Sequence, residues 1–176
     1  MGRRTTRGVA RAGLALVLLG LTGCSAGGAG AAQNRSPEQV AKDFVPLAES
    51  LVGATGTSGW TFEDSRPWSV AGIGALRGQA CTGVPGKHTL QLLLLGQPVE
   101  NAKSAAEAMR SHLEANDFTI SGSFTPESGD AEFTVSGQRA DGAAVDYRAS
   151  LAGQTLDLES ECSAAIELNA NVPVTQ

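Results

Sequence analysis

The sequence predicts a two-layer α+β sandwich: an antiparallel sheet of about five strands, two helices on one face, and one disulfide. Three observations predict it. Residues 36–53 and 99–115 carry apolar side chains at helical spacing, and from Phe118 onward the apolar period becomes two. Cys81 and Cys162 remain as an even pair once Cys24 is assigned elsewhere. The 176 residues allow one domain.

Residues 1–23 read as a leader to be removed. Arg3, Arg4, Arg7 and Arg11 form a positive start with no acid, and the apolar run 14–21 is too short to cross a hydrocarbon core of roughly 30 Å. Thr5-Thr6-Arg7 stands where apolar residues would follow a twin-arginine pair, which favours the general secretion route. The run ends in Leu21-Thr22-Gly23-Cys24, which resembles the bacterial lipobox, Leu-[Ala/Ser/Thr]-[Gly/Ala]-Cys, at every position. That resemblance implies a diacylglyceryl thioether on the Cys24 sulfur, cleavage after Gly23, and a place on the extracytoplasmic face of the cell membrane. The competing reading is an ordinary secretory signal that happens to contain a cysteine. Two acyl chains, at roughly 0.8 kcal/mol per buried CH₂, hold a protein stably where one does not.

Residues 24–35 are Gly/Ala-rich and read as a flexible tether spanning roughly 15–20 Å in root-mean-square terms. The domain occupies 36–168, with 169–176 as a tail. Ser36-Pro37-Glu38-Gln39 combines an N-cap hydroxyl, Pro at the first helical position and Gln to close a capping box. Val40, Phe44, Leu47 and Leu51 share one face, and Gly53 is the expected stop. Pro46 is expected to kink or divide this helix.

Glycines interrupt 54–88, where Trp60-Thr61-Phe62 and 78–81 read as short strands. Residues 89–95 read as a central strand, apolar on both faces. The 99–115 helix buries Ala102, Ala105, Ala106, Met109 and Leu113, and Lys103–Glu107 and Arg110–Glu114 face solvent. Four strands come next, at about 118–124, 131–139, 143–151 and 155–162. Ile120 and Phe124 are expected to join Phe133 and Val135 across a turn at 126–129. A three-residue loop at Ala140-Asp141-Gly142, with Gly142 left-handed, pairs Val135 with Tyr147 and Phe133 with Ala149 and keeps one face apolar. A two-residue turn at Gly153-Gln154 would pair Ala149 with Leu158 and Val145 with Cys162, and would set Asp146 opposite Glu161. Cys162 then faces the core.

An exported chain favours a Cys81–Cys162 disulfide, worth roughly 4 kcal/mol for a loop of about 80 residues. The alternative is a catalytic thiol beside His88 or His112. No close Cys or His pair has zinc spacing.

The lipobox, Gly-rich tether, sparse aromatics and two-cysteine domain ending Leu158-Glu159-Ser160-Glu161-Cys162 together resemble small lipoproteins of high-GC Gram-positive bacteria, the Lpp-type lipoproteins of mycobacteria. The resemblance implies localisation and fold, and it brings no catalytic residues.

Removing 1–23 takes four arginines and no acid, leaving 9 Lys+Arg against 18 Asp+Glu and a net charge of −9. That balance disfavours nucleic acid and repels the body from an anionic bilayer. No G-x-S-x-G elbow precedes a helix, Gly72-Ile73-Gly74 lacks the third glycine of a dinucleotide loop, and no cofactor is expected. His88 and His112 read as surface or boundary residues. Trp60, Phe62 and Trp68 form either a recognition patch or a flap sealing the core. Asp146, Asp157, Glu159 and Glu161 form either a weak cation site or a solvated sheet face near Arg148. The expectation is a monomeric, membrane-anchored, non-enzymatic module that binds an envelope protein or small ligand. An enzyme using the 60–88 loops and acidic strand, and a structural surface protein, are the alternatives.

Overall fold

The computed structural model describes residues 34–125 and 132–174. It is an α+β fold in which an antiparallel sheet carries two helices on one face. Helix α1 (Pro37–Ala54) begins as its sequence dictates. Ser36 Oγ accepts the Gln39 backbone N–H, and Gln39 Oε1 accepts the Ser36 N–H, closing the capping box. Val40, Phe44, Ala48 and Leu51 are buried. Pro46 does not divide the helix: it lies on the exposed side, and the lost backbone bond is outweighed by the apolar face buried on either side of it.

Two short strands, β1 (Thr61–Phe62) and β2 (Ala75–Ala80), occupy the Gly-rich stretch. Both pair with β3 (His88–Gly96), whose other side pairs with β7 (Gln154–Glu159), so β3 is central as expected. Helix α2 (Ala102–Ala115) starts three residues later than the apolar pattern suggests, because Asn101 caps it through Ser104 N–H. It lies over β4 (Thr119–Phe124), β5 (Phe133–Gln138) and β6 (Ala144–Ala149), burying Ala102, Ala106, Met109 and Leu113. With β8 (Asn171–Pro173) the sheet is complete, ordered β4-β5-β6-β7-β3-β2-β8 with β1 on β3.

Among the described residues the sheet thus has eight strands where about five are expected. Strands β1 and β8 are too short to show a period, and in β2 Gly78 takes the inward position after Leu76, so its apolar alternation is lost. The expected tail contributes one: Val172 is buried and pairs with Leu76, so the domain extends past residue 168.

The bulged β5–β6 turn forms as the sequence indicates. Val135 pairs with Tyr147, Phe133 with Ala149, and Gly142 has φ +97°. Ile120 packs against the core, but Phe124 is exposed, because a register shift between Ile120 and Gly122 turns the strand over. The turn at 126–129 lies outside the described residues.

The β6–β7 turn differs from expectation. It is centred on Leu151-Ala152, Ser150 and Gly153 exchange backbone bonds, and Ala149 pairs with Gln154 rather than Leu158. The register moves by four residues, an even number, so both faces survive. Gln154 is excluded from the turn because it is buried: it accepts from Tyr147 Oη at 2.6 Å and donates to the Gln97 carbonyl at 2.8 Å.

A second departure lies just past β7. Gln91 pairs with Glu159, but His88 bridges to Ser163, which places one extra residue on the β7 side. Ser160 fills this bulge, its Oγ accepting the Leu90 N–H at 2.9 Å and its carbonyl accepting Thr89 Oγ1 at 2.8 Å. The bulge reverses the facing of the residues beyond Ser160. Glu161 turns toward α1 and Cys162 toward the face without helices, the opposite of the expectation. Cys81 and Cys162 are joined, with Cα atoms 6.1 Å apart.

Candidate functional site

The face of the sheet that no helix covers among the described residues holds a depression of about 480 Å³. Its floor is the outer side of β5, β6 and β7, and its wall is the loop after β2, carrying Thr82 and Val84. The disulfide ties that loop to the end of β7.

Asp146, Asp157 and Glu159 line the depression together, because alternation puts them on the outer side of neighbouring strands. Asp146 and Asp157 are direct cross-strand partners, an arrangement that repulsion makes unfavourable. Each is held by donors. Asp146 accepts from Ser136 Oγ at 2.7 Å and from Arg148 Nε at 2.9 Å, and Asp157 accepts from Gln91 Nε2 at 3.0 Å. Glu159 has no such donor among the described residues. Burial, and then the charge of Asp157, hold its carboxyl above the usual range.

Glu161 is not part of this group. It is 7% exposed, on the helix side, where Oε2 accepts Arg35 Nη1 at 2.8 Å and Oε1 has no partner among the described residues. Without Glu161, the cation site loses its fourth ligand. Among the described residues no group of three or more His, Cys, Asp or Glu is placed to hold a metal ion.

The aromatic cluster is packed rather than presented. Trp60 is 3% exposed and Phe62 is buried, while Trp68 is half-buried and meets Phe62 edge-on at 5.5 Å. Trp60 Nε1 donates to Thr55 Oγ1 and Thr57 Oγ1, and Gln154 Nε2 also donates to Thr57 Oγ1. A polar chain therefore runs Trp60–Thr57–Gln154–Tyr147 through the core, tying the end of α1 to the β6–β7 hairpin. Burial pushes the Tyr147 phenol up to about 12. Trp60 and Phe62 thus belong to the core, and Trp68 lies partly exposed against Phe62.

The histidines serve separate structural contacts. His88 Nδ1 lies 2.7 Å from the Ile166 carbonyl, and His112 Nε2 lies 3.0 Å from Ser50 Oγ, joining α2 to α1. Neither lines the depression, and Cys81 and Cys162 are bonded to each other rather than to a histidine partner. A second concavity, a groove of about 700 Å³, runs between α1 and β8 over Ala41, Val45, Pro46 and Val174. Cys24 lies outside the described residues, and no described helix is long and apolar enough to cross a membrane.

Sequence reasoning missed Ser136 and Gln91 as the donors that steady the two aspartates. Both sit on outward parity of their strands and come within reach once the register is known. The Trp60–Tyr147 chain has no signal in the sequence, since its members are 87 residues apart. No protein-family model matches this chain, and comparison with curated proteins and with solved structures finds no significant match.

Proposed function

We propose that this chain is a lipid-anchored extracytoplasmic binding module, held to the outer face of the cell membrane through Cys24, that takes a cationic group into the acidic depression of its open sheet face. The anchor rests on the lipobox, and the four-arginine start and short apolar run support it. The binding reading rests on one observation: Asp146 and Asp157 oppose each other across β6 and β7 inside a walled depression, with Glu159 beside them. Opposed like charges are unfavourable, and among the described residues Asp146 has a cationic partner in Arg148 while Asp157 has none. A primary amine or guanidinium between them would turn that repulsion into attraction by donating hydrogen bonds to both carboxylates. Serine hydroxyls at 121 and 136 leave room for a polar ligand body. The catalytic alternative loses support because neither histidine lines the depression, and Cys162, which does line it beside the acids, is bonded to Cys81.

The test is a thermal-shift and calorimetric titration with small diamines and short lysine- and arginine-containing peptides. Saturable binding that disappears in the Asp146→Asn/Asp157→Asn variant is the expected result. Absence of binding by the unaltered protein, or equal binding by the variant, contradicts the reading.

A further inference from the structure

The acidic depression leaves one charged element unused, the junction where the chain enters the domain. Arg35 stands just before α1 and is fastened at four points. Its guanidinium donates to Glu161 Oε2 and to the Gln39 carbonyl, both at 2.8 Å, and pairs with Asp43. Its carbonyl accepts Ser163 Oγ at 2.7 Å. Of the two acids, Asp43 is exposed, so its pairing with Arg35 is screened by water and weak. Glu161 is more than nine-tenths buried, and among the described residues Arg35 is its one ion-pair partner.

The Glu161 pocket is poorly suited to an anion. Oε1 is buried with no donor among the described residues, and the space around the carboxyl is bounded by Val40, Phe44 and Leu47 of α1. The charged groups facing it are Arg35 from the entering segment, Asp43 from α1, and Arg139 and Asp141 from the β5–β6 loop. Arg139 is itself committed to Asp141 at 2.7 Å. The neighbouring β3 residues, Thr89 and Leu90, carry no charge.

The geometry points to a pH-operated latch: ionised Glu161 clamps Arg35 and so fixes the entering segment to the domain, and protonated Glu161 lets it go. Protonation removes the one charge-assisted bond made in a buried setting, and what remains is the exposed Asp43 pair and the hydrogen bonds with the Gln39 carbonyl and Ser163 Oγ, which together hold the segment less firmly. Burial, opposed by Arg35 and reinforced by Asp141, keeps the Glu161 carboxyl above the usual range, so release begins in weak rather than strong acid. The same proton acts oppositely on the fold. A carboxyl whose folded value is raised favours the folded state below its unfolded value and loses that contribution as pH rises through the folded one. Acid therefore frees the junction while the Glu161 carboxyl itself ceases to oppose folding. The consequence is that the chain at Arg35 is fastened to the domain at neutral pH and loosened in acid. This device is independent of what the depression binds.

The experiment tracks the Arg35 guanidinium ¹⁵N signals, the Glu161 carboxyl ¹³C signal and amide exchange at Ser36 and Gln39 by NMR, on the full chain in detergent, from pH 4 to pH 8. The expected result is one shared midpoint above the ordinary glutamate value of about 4.3, with exchange at Ser36 and Gln39 about tenfold faster on the acid side. Glu161→Gln should show the released state at every pH, and Asp43→Asn should keep the transition. Different midpoints for Arg35 and Glu161 in the unaltered chain overturn the latch, as does a transition that persists in Glu161→Gln or vanishes in Asp43→Asn.

Discussion

Glu159 and Glu161 sit two residues apart, yet the bulge at Ser160 sends them to opposite faces of the sheet, and both are carboxylates that the fold holds at a cost. For Glu159 the burial penalty and the Asp157 charge act in the same direction, so its folded value is raised. Its contribution to stability is therefore full below the unfolded glutamate range and is lost as pH rises through the folded value. Glu159→Gln should raise Tm at pH 7 and make little difference at pH 4. Because the group is partly solvated, the gain is at most about 1 kcal/mol. Thermal unfolding of both proteins at the two pH values measures it; a lower Tm for the variant at pH 7 would show Glu159 making a stabilising contact. Gly78 shows the tightest residue-level constraint, since a methyl group there would collide with the Glu167 carbonyl.

At the scale of elements, α1 tests how far local chemistry governs. Ser36→Ala removes the hydroxyl that satisfies the Gln39 N–H and should cost about 1 kcal/mol, seen as a lower urea midpoint with an unchanged slope. No change would mean that tertiary contacts of Arg35, rather than the capping box, set the start of the helix. The elements legible in the sequence are those whose signal is local: the cap at Ser36, the helical stripes, the long β3 and the bulged turn at Gly142. The others depend on distant partners. The β6–β7 turn is misplaced by sequence reasoning because Gln154 looks like a turn residue until Tyr147, Thr57 and the Gln97 carbonyl bury it. The reversal at Ser160 depends on hydrogen bonds to Thr89 and Leu90, about 70 residues away. The candidate site is legible in part: three of its four acids share a face as alternation requires, whereas Glu161 crosses to the other side of the bulge. Trp60 and Trp68 suggest a surface, and the buried indole bonds of Trp60 assign it to the core.

For the whole molecule, the cysteine chemistry and the architecture support one another. The Cys81–Cys162 bond closes a separation of 81 residues and braces the loop that walls the depression. Chain-entropy arguments give such a cross-link roughly 4 kcal/mol, a large share of the stability of a domain this size. A covalent brace of that kind persists in an oxidising compartment, which agrees with the proposed exported chain whose third cysteine carries lipid. The net charge of −9 after removal of the first 23 residues would then keep the body off an anionic bilayer. Intact-mass spectrometry of the protein extracted from the membranes that make it tests this arrangement most directly. The expected chain starts at Cys24, is heavier by a diacylglyceryl group, and lacks the two hydrogens of a Cys81–Cys162 bond. A chain that retains Met1, or one with an unmodified Cys24 and free thiols at 81 and 162, would contradict it.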